Sequence, residues 1–422
     1  MTAEVLIMNR SAVALAADSK VTIGGEKTYD TVNKIFTLSK IHPVGVMIFG
    51  NADFMHYPWE LIVKEYREQK KDKSKPTVRE WSQDFFQFVR RFGSIKANHI
   101  EQNLRAIIGT TFREQERMAF YQAQYKNVSI PSDEYHKILV KLLDEKTAEM
   151  SSTGTWLTEA QGRAFSNKYW RVIASEINSL VPSKDKALKN ATINLAGAVL
   201  YSRDFSPLLS GVVVTGFGEK ELLPSMISYL TDGFVGSKIK IVQGYIRNIT
   251  AETPSHISAF AQHDIVDRFM EGIDPDYSEF LQQLIGRVLR ESNLAVFSKW
   301  APKAKQTAKA RASVARAAQK TFEKTRQQGI DYRKEIFTDQ IMQMAALLPR
   351  DEMSFLAESL VALTALHRRV APDVESVGGP VDVAVISKGD GFIWIKRKHY
   401  FKPELNPQFR QNYMRGITGV RK

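Results

Sequence analysis

Three residues near the start of the chain have the types and the spacing to do chemistry together. Thr2 follows Met1, Asp18 lies 16 positions after Thr2, and Lys34 lies 16 positions after Asp18. A hydroxyl, a carboxylate and an amine are the side chains that nucleophilic cleavage of an amide bond uses. A fourth candidate is Gly50, which directly follows an apolar stretch.

Thr2 is the predicted nucleophile. A threonine whose α-amino group is free carries both the attacking hydroxyl and a base that accepts its proton. Removal of Met1 creates that amine, and the aminopeptidase that removes methionine prefers a small second residue such as threonine. The sequence therefore allows an amino-terminal nucleophile without a propeptide.

The other three residues supply what this nucleophile needs. A cation beside an amine disfavours its protonated form and lowers its pKa, and Lys34 is the candidate cation. A lysine in a buried site needs an acidic partner, for which Asp18 is the candidate. The tetrahedral intermediate needs an N–H donor for its oxyanion, and we expect the Gly50 backbone to provide it, because a glycine lets substrate approach closely.

These residues lie in segments that closely resemble proteasome β subunits and their HslV-type bacterial relatives. The shared segments are Ala14–Thr22 (ALAADSKVT), Asn33–Phe36 (NKIF), Val44–Phe54 (VGVMIFGNADF) and the distant Gly378–Gly391 (GGPVDVAVISKGDG). The resemblance is clearest over residues 2–68 and 350–398 and extends to 211–290, which is about half of the chain.

The resemblance implies an N-terminal-nucleophile (Ntn) hydrolase. This is an α+β fold, a four-layer αββα sandwich of two stacked antiparallel sheets between helices, here with large helical insertions. The family's nucleophile falls on Thr2, its aspartate on Asp18, its lysine on Lys34 and its oxyanion glycine on Gly50. The implied function is threonine-type cleavage of peptides or unfolded proteins, without a metal or organic cofactor, in self-assembled rings that an ATPase unfoldase feeds.

The chain departs from the family pattern at two places. The Gly-Ser-Gly motif before the family's third helix is not found, and Ser255 or Ser258 is the nearest serine in that region. The family also has an aspartate and a serine just before its terminal glycine pair. Here Asp373, Glu375 and Ser376 stand nearby, but in a different register.

Composition excludes several classes of site. The chain has no cysteine, which excludes disulfides, metal–thiolate sites and thiol nucleophiles and fits a reducing compartment. Its histidines show no ligand spacing, so we predict no metal. The formal charge of +13 admits acidic partners such as nucleic acid, an anionic membrane or an acidic protein surface.

Two strand pairs are expected to position the four residues. The first is a hairpin of Thr2–Met8 and Ala12–Ala17 around a turn at residues 9–11, and the second pairs Lys34–Leu38 with Val44–Phe49. Further strands are predicted at Ile193–Ser202, Gly211–Phe217, Lys238–Ile246, Val381–Ser387 and Phe392–Arg397. Strands separated by pairs of helices indicate α+β layers.

Helices fill the remaining chain. They are predicted from Ala52 to Gln69, after Pro76 with an inner face of Trp81, Phe85, Phe88 and Phe92, and at Glu134–Met150, Glu159–Leu180, Ser255–Phe269, Tyr277–Arg290, Lys299–Arg326, Asp339–Leu348 and Glu352–Val370.

We divide the chain into five segments: 1–112 as the first part of the core, 113–190 as a helical insertion, 191–292 as central core strands and helix, 293–338 as a basic helical insertion, and 339–422 as the closing helix and strands.

The sequence predicts a cytoplasmic location. No apolar run is long enough to span a membrane. The small, apolar residues Ser11–Ala17 imitate part of a signal peptide, but Glu4, Asn9 and Arg10 are charged or polar where such a peptide is apolar.

Three alternative functions remain open beside peptide hydrolysis. The same four residues suit an Ntn amidohydrolase that acts on a small amide, and a non-catalytic proteasome-like scaffold is a second alternative. The third is nucleic-acid binding through Lys299–Arg326, which has nine basic residues and one acidic residue. Nucleic acid is not the expected partner, because no aromatic residues alternate with the basic ones and no known binding motif is present.

Overall fold

The protein combines helices with antiparallel sheets. A computed structural model describes residues 3–23, 27–181, 185–300, 308–371, 377–409 and 411. Within these ranges, the strands are β1 Ala3–Asn9, β2 Val13–Ala17, β3 Val21–Ile23, β4 Lys27–Tyr29, β5 Ile35–Thr37, β6 Val44–Gly50, β7 Asp53–Phe54, β8 Tyr57–Pro58, β9 Ser210–Gly216, β10 Ser225–Val235, β11 Lys238–Asn248, β12 Ser255–Ala261, β13 Asp382–Ser387 and β14 Gly391–Lys396.

The helices occupy the stretches between these strands. They are α1 Trp59–Lys70, α2 Val78–Arg90, α3 Ala97–Tyr125, α4 Asp133–Ser152, α5 Glu159–Leu180, α6 Lys186–Tyr201, α7 Asp264–Glu271, α8 Pro275–Trp300, α9 Ala308–Arg333, α10 Asp339–Leu347 and α11 Arg350–Val370. The mixed α+β class is confirmed. No helix of the described residues is long and apolar enough to cross a bilayer.

The chain forms two compact units. The first comprises the described parts of Met1–Thr31, Ile249–Val385 and Trp394–Lys398, and the second comprises those of Val32–Asn248, Ile386–Ile393 and His399–Lys422. Each unit is built around one five-stranded sheet. The predicted four-layer sandwich and the five-segment division of the chain stay predictions.

The first unit contains most of the sheet with strand order β12-β1-β2-β13-β14. The predicted amino-terminal hairpin is confirmed, with Leu6 opposite Leu15 across the β1–β2 pair. Because successive side chains of a strand point to opposite faces, one face presents Val5 and Ile7, which pack in one core cluster with Leu360 and Val361 of α11.

The second unit contains the sheet with strand order β11-β10-β9-β6-β5. The predicted pairing of residues around Lys34–Leu38 with Val44–Phe49 is confirmed, because β5 and β6 pair with Ile35 opposite Met47. The aromatic side chains Trp59, Trp81 and Phe85 of α1 and α2 are buried in the core cluster that includes β6 and β9. A separate core cluster joins the four helices α3 to α6.

The predicted strand at Ile193–Ser202 is wrong, because these residues belong to helix α6. Asp185 caps this helix, its carboxylate accepting the N–H of Leu188 at 3.0 Å. Leu188, Leu195 and Val199 are buried at helical spacing within the helical core cluster. The apolar run alone could not separate a buried helix from a buried strand.

The predicted helix at Ser255–Phe269 is also wrong in its first half. Ser255–Ala261 forms strand β12, which pairs with β1 so that Ser258 lies opposite Leu6, and a short helix follows as α7. Pairing with a strand about 250 residues earlier decides the structure here, and local periodicity contains no signal for it.

The helix predicted from Ala52 begins later, at Trp59. Met55 and His56 have φ values of 54° and 69° and form the turn between the short strands β7 and β8. A two-residue hairpin turn with two positive φ values suits the right-handed twist of its strands. The sequence signal was weak, because neither residue is a glycine or an asparagine.

Candidate active site

Asp18 is the best-defined residue of the candidate site. Its carboxylate is 1% exposed and accepts three backbone N–H groups. Oδ1 accepts the N–H of Ala3 at 3.0 Å, and Oδ2 accepts those of Gly378 at 3.1 Å and Lys20 at 3.2 Å. Three donors on one carboxylate fix its orientation and hold together segments that are far apart in sequence.

The amino-terminal hairpin places Asp18 beside the first described residue. Glu4 lies opposite Ala17, so Asp18 follows the last pair of the β1–β2 ladder. The Asp18 N–H donates to the Ala3 carbonyl at 3.1 Å while the Asp18 side chain accepts the Ala3 N–H. Thr2 itself lies outside the described residues, but the position of its neighbour Ala3 is fixed by these two hydrogen bonds.

The glycine pair that the sequence singled out lies next to Asp18. Besides the Gly378 N–H, which donates to Asp18, the Gly378 carbonyl accepts the N–H of Ser19 at 3.2 Å, and the Ser19 hydroxyl donates to the Pro380 carbonyl. Gly379 has φ of +74°, and a Cβ there would lie 2.8 Å from the Asp30 side chain. These hydrogen bonds join two segments that are about 360 residues apart in sequence and belong to the first unit.

Lys34 belongs to the second unit and is buried. Its side chain is 4% exposed, and it directly precedes β5. The Lys34 carbonyl accepts the N–H of Ile48 at 2.8 Å, which ties it to strand β6. Deeply buried lysines are uncommon in folded proteins. The burial of Lys34 therefore agrees with a structural or catalytic role rather than with that of a solvent-exposed charge.

Gly50 ends strand β6 in a conformation that suits glycine. Its φ is +77°, and a Cβ would lie 2.4 Å from the Leu209 carbonyl oxygen. The same carbonyl accepts the N–H of Asn51 at 2.9 Å, and the Ser210 hydroxyl donates to the Asn51 carbonyl at 2.9 Å. Hydrogen bonds to both the N–H and the carbonyl of Asn51 therefore fix the backbone directly after Gly50, whose own N–H we expect to hold an oxyanion.

The two serines considered for the missing motif lie elsewhere. Ser255 and Ser258 are both in β12, where the Ser255 hydroxyl donates to the Met342 carbonyl at 2.6 Å and Ser258 hydrogen-bonds His256 at 2.6 Å. Neither stands directly before helix α7. The other candidates, Asp373, Glu375 and Ser376, lie outside the described residues.

Sequence reasoning missed two buried charged residues near Asp18. Glu4 is completely buried in β1, and Lys20 is 6% exposed with its amine 4.0 Å from the Asp30 carboxylate. A signal for Glu4 was present, because the sequence places a carboxylate among the apolar residues of a predicted strand. Across the described ranges, no three His, Cys, Asp or Glu side chains are grouped so as to hold a metal ion.

Comparisons with known proteins found no family model and no curated protein that matches the chain. One similar solved structure is an Anbu Gly-1 mutant from Hyphomicrobium sp. strain MC1, with 7% identity, coverage of 100% of this chain and 99% of that chain, and a TM-score of 0.25. A second is the helical assembly of the Anbu complex from Pseudomonas aeruginosa, with 10% identity, coverage of 100% and 97%, and a TM-score of 0.28. A third is Anbu, an ancestral β-subunit, from Yersinia bercovieri, with 9% identity, coverage of 100% and 98%, and a TM-score of 0.26. Similarity at TM-scores this low carries no argument about fold or activity.

The sequence-based assignment to proteasome β subunits and HslV-type peptidases was wrong. The three similar structures named above are Anbu proteins, and no family model matches. The segments that suggested the assignment are short, and they coincide with parts of the β1–β2 hairpin, of strands β5 and β6, and with the glycine pair before β13.

Proposed function

We propose that the chain is a peptide hydrolase in which Thr2, exposed by removal of Met1, is the nucleophile. The observation that supports this most is the pair of hydrogen bonds between Asp18 and Ala3. They hold the residue that follows Thr2 at the end of a fully buried strand. A nucleophile must be held in a defined place, and chain termini are usually mobile unless they are tied down.

The proposed reaction has two stages. The Thr2 hydroxyl attacks the scissile carbonyl carbon while the Thr2 α-amine accepts the hydroxyl proton. The tetrahedral intermediate collapses, the C–N bond breaks, and the amine returns the proton to the leaving nitrogen. Water then attacks the resulting ester, with the same amine accepting its proton, and releases the acid and the free threonine hydroxyl.

The other proposed roles follow from burial and backbone geometry. Lys34 is assigned to keep the Thr2 amine neutral, since a nearby cation disfavours a second positive charge. Asp18 is assigned to position the start of β1 and to provide the carboxylate that a buried lysine requires. Gly50 is assigned to donate its N–H to the oxyanion, where one donor typically contributes about 3 kcal/mol.

Several further expectations belong to this proposal. The four-layer sandwich, the peptide rather than small-amide substrate, ring assembly and an ATPase unfoldase stay predictions. The helical assembly of the Anbu complex from Pseudomonas aeruginosa is a property of that protein.

Turnover assays on variants test the proposed activity. Wild type, Thr2→Ala and Thr2→Ser are compared on a fluorogenic peptide panel and on a panel of small amides, with Thr321→Ala on the exposed face of α9 as the matched control. We expect Thr2→Ala to lose at least about 100-fold in kcat, Thr2→Ser to retain part of it, and the control to equal wild type. Unchanged peptide turnover in Thr2→Ala, or turnover of small amides alone, contradicts the proposal.

A further inference from the structure

Helices α5 and α6 of the second unit form an antiparallel pair with a groove along one side. The hydroxyls of Ser166, near the start of α5, and Tyr201, at the end of α6, hydrogen-bond each other. The groove has a volume of about 430 Å³. Its lining extends from Ser166 to Asn178 on α5 and from Lys189 to Tyr201 on α6, so it is about 18 Å long at 1.5 Å per residue.

The groove is apolar along most of its length. Ile177 and Leu200 line it as buried residues, and Trp170 and Ile193 line it while 57% and 46% exposed. Gly197 leaves its middle open, because a Cβ there would meet nothing within 4 Å. Large exposed apolar side chains around a concave apolar surface are typical of a binding site for a small molecule.

The dimensions of the groove suit one hydrocarbon chain. A volume of about 430 Å³ over about 18 Å gives a mean cross-section of about 24 Å², which corresponds to a width of about 5 Å. Carbon atoms in contact lie about 3.5–4.0 Å apart, so an extended hydrocarbon chain fits this width. A helix with its side chains is about 10–12 Å across and does not fit within it, and neither do the two chains of a phospholipid.

One end of the groove carries a single positive charge. Among the described residues that line the groove, Lys189 is the one charged residue, and no described side chain forms an ion pair with its amine. The side-chain amide of Asn178 lies at the same end. At the other end the Ser166 and Tyr201 hydroxyls satisfy each other and need no polar group from a ligand.

We propose that this groove binds one molecule of a free long-chain fatty acid. The carboxylate accepts hydrogen bonds from Lys189 and Asn178, and the hydrocarbon chain extends past Gly197 towards Tyr201. A charge-assisted hydrogen bond at one end and apolar contacts along the rest match the chemistry of this ligand class. The inference concerns helices remote in sequence from Thr2 and does not depend on the proposed activity.

Asp185 is the acidic residue nearest to Lys189 in sequence, and it is engaged elsewhere. Its carboxylate accepts the N–H of Leu188 at 3.0 Å as the cap of α6. It also lies 3.5 Å from Nδ1 of His136 in α4. These contacts hold it at the start of α6, and it does not line the groove.

The remaining charged residues of the two helices do not line the groove: Glu159, Arg163, Lys168, Arg171, Glu176 and Lys186. Glu159 pairs with Arg163 at 3.0 Å, and Glu176 pairs with Arg105 of α3 at 3.5 Å. The Arg171 guanidinium lies 5.7 Å from the centre of the adjacent tryptophan ring. Both carboxylates of α5 thus have cations of their own, and a carboxylate bound at Lys189 meets no unpaired negative charge from this helix.

Two variants of the full chain separate the roles of shape and charge. Gly197→Leu fills the middle of the groove without a clash, and leucine favours a helix more than glycine does. Gly329→Leu in α9 is its matched control, because a Cβ there also meets nothing within 4 Å. Lys189→Met removes the cation, and Lys141→Met, at an exposed ion pair of α4, is its control. Circular dichroism checks that each variant is folded.

Tetradecanoic acid and its methyl ester are the probes, and displacement of a fluorescent fatty acid measures their binding. With C–C bonds of about 1.5 Å, the extended chain of this acid is about as long as the groove. We expect the wild type to bind one molecule of the acid at roughly micromolar concentration. Gly197→Leu should weaken binding of both probes at least about tenfold, whereas Lys189→Met should weaken binding of the acid about tenfold and leave that of the uncharged ester unchanged. Both controls should equal wild type.

Three outcomes overturn the proposal. The first is the absence of saturable binding of the acid below its solubility limit, and the second is equal affinity of Gly197→Leu and Gly329→Leu for it. The third is an equal loss of acid and ester binding in Lys189→Met, because the cation would then not hold the carboxylate. Sedimentation tests the rival occupant: self-association of the wild type that Gly197→Leu abolishes would show that a second copy covers the groove, and would also overturn the proposal.

Discussion

The carboxylate of Asp18 accepts the backbone N–H of Ala3 at 3.0 Å, and the Asp18 N–H donates back to the Ala3 carbonyl at 3.1 Å. This reciprocal pair fixes the first described residue of the chain against the end of strand β2. It makes Asp18 a structural anchor as well as a candidate member of the active site. Its variants should therefore change both stability and turnover.

Asp18→Asn is expected to lower the free energy of unfolding by about 1–3 kcal/mol, because an amide has one oxygen for three buried N–H donors and leaves at least one unsatisfied. Turnover should fall as well, since the start of β1 loses its anchor. Urea denaturation followed by fluorescence measures the first effect. Asp390→Asn, in the turn before β14, is the control, and a stability equal to wild type in Asp18→Asn contradicts the anchor role.

Gly50→Ala is expected to be destabilising. A side chain does not fit at this position, because φ is +77° and a Cβ would lie 2.4 Å from the Leu209 carbonyl oxygen. A cost of about 1–3 kcal/mol in unfolding free energy is expected, together with a loss in kcat if its N–H holds the oxyanion. Gly93→Ala is the matched control, because a Cβ there meets nothing within 4 Å. Equal effects of the two substitutions would refute the prediction.

The ionisation of Asp84 makes the free energy of unfolding of the protein depend on pH. Burial alone would raise the pKa of its carboxyl, but hydrogen bonds from Lys70, Tyr66 and Lys75 hold that pKa below its usual value of 3.8. The Tyr66 hydroxyl lies 2.7 Å from the carboxylate and the Lys75 amine 3.0 Å. A carboxyl group with a lowered pKa in the folded state stabilises above its unfolded pKa and loses this contribution as pH falls through the folded pKa.

Asp84→Asn should therefore be less stable than wild type by about 1 kcal/mol at pH 7, a modest figure because solvent screens a partly exposed group. The difference should shrink as pH falls below about 4. Denaturation midpoints of both proteins between pH 7 and pH 3 measure it. A difference that is constant over this range would show that Asp84 does not contribute through its charge.

Lys240→Met is expected to be strongly destabilising. The Lys240 amine is fully buried, lies 3.1 Å from the Asp232 carboxylate and donates to the Val199 carbonyl at 2.8 Å near the end of α6. Burial lowers the pKa of this lysine. Removing one partner leaves a buried carboxylate without its cation, which typically costs about 3–5 kcal/mol. Lys146→Met, at a partly exposed ion pair, serves as control, and similar thermal midpoints for both variants would contradict this role.

The sequence predicted those parts of the fold whose signals are local. The hairpin before Asp18 follows from alternation and is confirmed. The predicted inner face of α2 is confirmed for Trp81 and Phe85, whereas Phe88 is only partly buried and Phe92 lies beyond the end of the helix. The contact of Gly378 with Asp18 was not predicted, because no local pattern relates residues 360 positions apart.

Errors arose where distant partners decide the structure. Ser255–Ala261 becomes a strand because β1 pairs with it, and Ile193–Ser202 becomes a helix because it packs among α3, α4 and α5. The burial of Lys240 was also missed, because a single lysine within a predicted strand gives no sign of the groups that surround it.

The most direct test of the central claim is the intact mass and peptide map of the purified chain after treatment with a threonine-directed epoxyketone, which reacts with a hydroxyl and a free α-amine on the same residue. We expect that Met1 is absent, that one inhibitor molecule adds to Thr2, and that Thr2→Ala does not react. Retention of Met1 in the whole population, with no adduct, would contradict it.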